Sequence, residues 1–355
     1  MTEPATGLVW APDFAAYDAL GPAFLPPIRR LHNYHWDIGE RVGCLMDIVK
    51  QTDLVRHLTV IEPVPADLDD MRLVHEENYI REFRRRGAVD GIPFSQAALA
   101  LGGALDLLDA VLMGRIGRGY ALVRPAGHHA GPGGGRGGCA LANGAIAAKR
   151  ALRAGIEKIL FIDWDAHHGN SQQEVFWEEP AVLTISIHQR QLGEGTHAAS
   201  VASRGRGKGW GSNVNVPMPA GAGGFLYRRV FTEVIRPAAD AFKPELVIVS
   251  SGLDANNVDP SARLRLNSSD FAYMTSEVMS IADRHAEQRL LMVHEGGYSL
   301  PYIPLCLLRI LETLVSKDLG IDDPFLAVWG TAYADEVNDE ELVKTLRSYL
   351  VDVPR

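Results

Sequence analysis

From about residue 95 onward the chain alternates helical patterns with short β-branched runs such as KILFIDWD, VLTISIH, ELVIVSSG and LLMVHE. That alternation is the signature of a mostly parallel sheet covered by helices on both faces, because parallel neighbours need a crossover and a helix is the usual one. Strands are expected over Tyr120 to Arg124, Lys158 to Asp165, Val182 to His188, Leu246 to Gly252 and Leu291 to Glu295, with helices near 96–113, 139–154, 223–242, 270–287 and 301–315. The first 90 residues read as mainly helix and loop. No repeat or linker composition divides the 355 residues, so one α/β domain is expected, with an N-terminal arm over about 1–30, a core over about 30–315 and a C-terminal extension over about 316–355. Gly131 to Gly138 and Ser203 to Gly211 read as Gly-rich surface loops.

The formal charge of −9 argues against a protein that neutralises many phosphates, so no nucleic-acid partner is expected. The start MTEPATGLVW lacks the basic and apolar regions of a secretory signal, and no stretch reads as a membrane span. A soluble, cytoplasmic protein without membrane partners is the expectation. Cys44, Cys139 and Cys306 are widely spaced and form no C-x-x-C pair, so a bound metal must be held by His and carboxylate side chains.

The chemically unusual residues cluster. His128 and His129, Asp165 and His167, His188, Asp254 and Tyr298 all follow or end expected strands, and the carboxyl edge of such a sheet is where ligands bind. In FIDWDAHHGN, residues 161–170, Asp163, Asp165 and His167 alternate, which in an extended strand would put them on one face. Two carboxylates and an imidazole at the end of a buried strand call for a cation, although Asp and Asn also cap helices after strands. Asp254 is a further candidate ligand, and an Asp-His-Asp set with an open position suits catalytic zinc; alone it would read as a turn residue. The adjacent His128 and His129 are a candidate acid–base unit, and Tyr298, after two glycines, a candidate donor to an oxyanion. Singly, a loop His is usually solvated and a turn Tyr usually packed.

RPAGHHA, DWDAHHGN, SSGLDANNVDP and HEGGYS resemble the motifs of histone deacetylases and their bacterial relatives, the class II-type amidohydrolases, over roughly residues 30–315. HNYHWDIGERV resembles that family's N-terminal helix and would place Arg41 near an interior acetate channel; VLTISIHQ and NVNVP add weaker support. The resemblance implies the arginase/deacetylase-like fold and zinc-dependent removal of an acyl group, usually acetyl, from an amide nitrogen. It implies Asp165, His167 and Asp254 as zinc ligands, Tyr298 as the phenol that polarises the carbonyl, and His129 as general base. Asp163 would pair with His128 and keep it cationic, while the neutral Asn170 would orient His129 and leave it free to accept a proton. A potassium ion would lie beneath the zinc, held by the side chains of Asp163 and Ser186 and by backbone carbonyls of Asp165, His167 and Ile187.

The sequence departs from the family at the substrate tunnel. Family members carry a Phe in a Gly-Phe-Cys element and another after the Ser-Ile-His strand; here the first reads Gly137-Gly138-Cys139, and the second loop reads HQRQLGEGTHAAS, with Leu192 at the pocket. A wider mouth follows, which favours an acylated small molecule over acyl-lysine. Gly137 keeps its backbone carbonyl for the substrate amide N–H. Ser261 stands where polyamine deacetylases of the family have a Glu, so a polyamine substrate is less supported. Arg204, Arg206 and Lys208 either meet an acidic substrate or form an ordinary solvated run. An arginase-like enzyme would need a second Asp where Gly169 stands, and a catalytically silent acyl-binding protein should have lost a ligand, the base or the phenol. By resemblance the protein is a homo-oligomer, a dimer or tetramer, with Pro22, Pro26 and Pro27 in a possible interface arm.

Overall fold

The computed structural model describes residues 5–18, 37–190, 199–326 and 337–355. Leu192, Pro22, Pro26 and Pro27 lie outside these residues, so the expectations placed on them are not addressed further.

The strands in chain order are β1 (Thr6–Val9), β2 (Leu58–Ile61), the two-residue pair β3 (Ala88–Val89) and β4 (Ile92–Pro93), β5 (Arg118–Ala121), β6 (Ile159–Asp163), β7 (Val182–Gln189), β8 (Asn213–Met218), β9 (Leu246–Ser251) and β10 (Leu290–His294). Among the described residues, eight of them form one sheet in the order β2-β1-β5-β10-β9-β6-β7-β8, with every pairing parallel. Each residue of β6, β9 and β10 is buried, because helices cover both faces and leave no strand face to water. The helices Phe94–Leu112 and Asn143–Arg153 pack together on one side, and Gly39–Gln51, Ser268–His285 and Ile303–Leu314 on the other.

The five expected strands form, with ends displaced by up to three residues. Three more strands of the large sheet were not anticipated: β1, inside the expected N-terminal arm and paired on both edges, β2, and β8 at the far edge; nor was the short β3–β4 pair. The expected helix over 223–242 is present as Gly224–Phe242 with a π-helical stretch at Phe231–Ile235. One composition reading is corrected. Phe94–Leu112 is long and apolar enough to cross a membrane, but 67% of its most apolar window is buried, against β1, β5, β10 and the neighbouring helix. The C-terminal helix Glu340–Tyr349 is tied to the body by Arg229–Glu340 at 2.8 Å and Arg347–Glu233 at 3.2 Å.

Candidate active site

The site grows from three turns at the carboxyl ends of β6, β9 and β10. After β6 the chain does not continue extended, as the alternation in DWDAH suggested. It leaves the sheet at Asp163, whose Oδ1 accepts the Asp165 N–H at 3.0 Å, and Asp165 Oδ1 in turn accepts the His167 N–H at 2.9 Å. Each carboxylate thus caps the amide two residues on, the usual Asx arrangement. These successive turns, not a strand pleat, bring Asp165 and His167 together and set Asp163 one layer behind.

His167 Nδ1 lies 3.0 Å from Asp165 Oδ1 and 3.0 Å from Asp254 Oδ2. The three side chains offer donor atoms within 4.8 Å of one another. Donors about 2.0–2.1 Å from a tetrahedral zinc stand ~3.3 Å apart, so this spacing fits an ion after slight expansion. Both carboxylates are essentially inaccessible, and burial together with Asp165 raises Asp254 to about 7. Carboxylates so placed need a cation to remain charged side by side. The expected ligand triad therefore assembles, and its donors fit a divalent metal.

His128 and His129 lie over this set, their rings 3.9 Å apart at the centroids. His128 Nδ1 bonds Asp163 Oδ2 at 3.0 Å, and its Nε2 is 3.7 Å from Asp165 Oδ2. Burial alone would lower its pKa, but Asp165 and Asp163 outweigh burial and raise it to about 10. His129 is driven the other way, well below the usual imidazole value, by burial and by the neighbouring His128. The two adjacent rings are thus pushed in opposite directions.

Asn170 stands between His129 and Arg136. One carboxamide atom of Asn170 lies 2.7 Å from His129 Nδ1, and the other lies 2.7 Å from both Nε and Nη2 of Arg136. A guanidinium only donates, so the atom facing Arg136 is the oxygen and the one facing His129 is the amide nitrogen. In that orientation the nitrogen also donates to His168 O at 3.3 Å.

Tyr298 is carried by the turn after β10. Gly296 N donates to Asp165 Oδ2 at 2.9 Å, and Tyr298 N donates to Asp259 Oδ2 at 2.7 Å. The Arg41 guanidinium lies 5.2 Å from the centre of the Tyr298 ring and donates to Asp37, Glu295 O and Gly297 O. Ser261 donates its hydroxyl at 2.6 Å to Asp259, which also accepts from Tyr298, so Ser261 braces the turn. Gly137, at φ 59°, lies against His129, where an added Cβ would be 2.6 Å from the ring; at Gly138 an added Cβ would meet nothing within 4 Å. Ser186 stands opposite Asp163 in the β6–β7 register, and its hydroxyl accepts from Gly169 N at 3.2 Å.

His188 is set apart, bonded to Ser186 and Ala199 and stacked edge-on with His168 beside a cavity of about 440 Å³. Two of the three cations of the basic loop have partners: Arg204 bonds Asp352 at 2.6 Å and lies over the rings of Trp210 and Tyr349, and the exposed Arg206 pairs with Glu178. Sequence reasoning missed Glu295. Its buried carboxylate accepts from Gly127 N at 2.7 Å, His128 N at 3.2 Å and Ser250 Oγ at 2.8 Å, and burial raises it to about 7. Its signal was available, a charged residue closing an apolar strand just as Asp163 does. Arg136 was also missed, since an Arg among glycines reads as a solvated loop.

Residues 35–314 match the model of the histone deacetylase domain. The chain is 36% identical over 311 residues to a histone deacetylase-like amidohydrolase of Pseudomonas aeruginosa, covering 84% of this chain and 81% of that protein. It is 38% identical to a probable deacetylase of Archaeoglobus fulgidus, covering 81% and 83%. Among solved structures it is similar to the HD domain of HDA15, with a TM-score of 0.83 at 25% identity over 98% of this chain and 94% of that one. These relatives are named as deacetylases and amidohydrolases, which supports a hydrolase with a metal-dependent site. With the extent of the domain match and the parallel sheet that carries these turns, the chain belongs to the histone deacetylase family.

Proposed function

We propose that this protein is a zinc-dependent amidohydrolase that removes an acyl group, most simply acetyl, from the nitrogen of a small molecule. The observation that carries the reading is the convergence of Asp165, His167 and Asp254 under the His128–His129 pair. Zinc, when bound, would acidify a water and polarise the amide carbonyl. The chain's own groups supply the rest. Tyr298 donates its phenol to the carbonyl oxygen as charge develops there. His129 takes the proton of the attacking water, for which its Nε2 must carry a lone pair. His128, kept cationic by Asp163, stabilises the developing negative charge and offers a proton toward the leaving amine. Glu295 and Asp259 hold the loops that carry these groups. Potassium would be held by Asp163 and Ser186 with carbonyls of Asp165, His167 and Ile187; the pairing of β6 with β7 supports that placement.

The open space at Gly138 supports a substrate bulkier at the mouth than a lysine side chain. Acyl-lysine on a protein is the second substrate reading, supported by relatives named histone deacetylases. The reading extends, by resemblance, to a cytoplasmic homo-oligomer.

The test is an assay of zinc-loaded protein against acetyl-lysine and trifluoroacetyl-lysine peptides, acetylpolyamines, and N-acetylated amino sugars and amino acids. Turnover lost on chelation and lowered about 10²- to 10³-fold in Tyr298→Phe, with a comparable loss in His129→Ala, is the expected result. A protein that binds zinc stoichiometrically but turns over nothing would favour an acyl-binding role; one that binds no zinc overturns the mechanism.

A further inference from the structure

We infer that Arg136 is a positioning residue that latches the proton chemistry of His129 by fixing which way the Asn170 carboxamide faces. The guanidinium sits among three acceptors: His129 O at 2.7 Å from Nε, Glu174 Oε1 at 2.6 Å from Nη2, and the Asn170 oxygen at 2.7 Å from both nitrogens. Gly131 leaves the room for this, since a Cβ there would be 2.5 Å from Glu174 Oε2 and 3.1 Å from Arg136 Nη2. With the Asn170 oxygen turned to Arg136, the amide N–H points at His129 Nδ1, which must then accept. A neutral ring that accepts at Nδ1 carries its proton on Nε2.

In this latched form His129 carries its proton on Nε2 and cannot take another there. Withdrawal of Arg136 lets the carboxamide turn over, so that its oxygen accepts from Nδ1–H and Nε2 gains the lone pair of a base. The latch can open, because the side chains of Arg136 and Glu174 are 44% and 42% exposed. The ring neither gains nor loses a net proton between the two forms; solvent returns to one nitrogen what it takes from the other.

The inference rests on His129 being the proton carrier of the proposed reaction, but its test is readable without turnover. Long-range ¹H–¹⁵N spectra of the full chain labelled at its 12 histidines, with zinc added, distinguish protonated from unprotonated ring nitrogens. His129→Ala identifies the relevant signals by their loss. The wild type is expected to show His129 unprotonated at Nδ1, and Arg136→Met, which keeps length and removes the donors, to move the proton to Nδ1. Nδ1 already protonated in the wild type, or no change in Arg136→Met, overturns the latch. If Arg136→Met does not fold, Glu174→Gln loosens the guanidinium and should give a mixture of both forms; a wild-type spectrum there overturns the proposal equally. Where a substrate is found, Arg136→Met should raise kcat about tenfold with KM nearly unchanged, a part of the roughly 10²- to 10⁴-fold that a general base supplies. An unchanged or lower kcat overturns the catalytic meaning of the latch.

Discussion

Asp254 and Asp165 share His167 between them, and both carboxylates are out of water. Without an ion this arrangement is costly, and burial together with Asp165 pushes Asp254 up to about 7. Neutralising Asp254 removes one of two like charges, so metal-free Asp254→Asn should melt at or above metal-free wild type. Zinc should raise the melting temperature of the wild type and leave that of the variant nearly unmoved. Differential scanning fluorimetry with and without zinc, beside metal analysis, checks both halves. A variant that melts lower when metal-free and still responds fully to zinc would remove Asp254 from the ligand set. At this scale the candidate ligands were legible because polar residues follow apolar runs, and the His pair because two adjacent imidazoles stand out in a Gly-containing loop. The Arg136–Asn170 contact was not, since the two residues are 34 positions apart and neither position alone says which carboxamide atom faces the other.

The turns after β9 and β10 act as one unit because Asp259 joins them. Its carboxylate accepts from Tyr298 N at 2.7 Å, Ser299 N at 3.3 Å, Ser261 N at 3.0 Å and Ser261 Oγ at 2.6 Å, and it faces the Asn256 amide at 3.3 Å. Asp259→Asn keeps the shape but turns one acceptor into a donor against these N–H groups. We expect kcat to fall about 10- to 100-fold with KM and zinc content little changed, as for a group that orients catalytic residues without touching substrate. Loss of zinc with the same kcat per bound metal would assign Asp259 to the metal instead. The loop from Gly131 to Gly138 offers a second test. Gly137→Ala must both hold φ near 59° and push a Cβ to within 2.6 Å of the His129 ring. It should cost about 1 kcal/mol or more in stability and lower kcat more than KM, read from urea unfolding and steady-state kinetics. Strands buried on both faces announced themselves by composition, which is why β6, β7, β9 and β10 were readable. The four-residue β1, TGLV, and β2, LTVI, are too short to show a period and are strands only because the sheet has an edge to extend.

Taken whole, the molecule buries neutral histidines as well as charged ones, and this sets how it answers to acid. His75 is almost fully buried, its Nε2 accepts from Ala142 N at 3.0 Å, and burial lowers its pKa from 6.5 to about 4. The unfolded chain takes up a proton on this ring near pH 6.5, the folded chain only near 4, so between those values the unfolded state holds more protons and stability rises with pH. The contribution is complete above about 6.5 and is lost as pH falls toward 4, by on the order of 3 kcal/mol. His188, lowered to about 3, adds in the same direction. Urea midpoints at pH 7 and pH 5 should therefore differ clearly in the wild type and less in His75→Gln, whose carbonyl can still accept from Ala142 N. An equal difference in the two proteins would assign the acid sensitivity to other groups. The consequence reaches the site, because the segment after His75 supports the catalytic loop: Glu76 N donates to Pro132 O at 2.9 Å, and Tyr79 OH to Ala140 O at 2.7 Å. Protonating His75 sets a donor against the Ala142 N–H, at the foot of the loop that holds Arg136 and Gly137. Loss of activity in mild acid should then begin before the whole chain unfolds, and His75→Gln should bring the two transitions together.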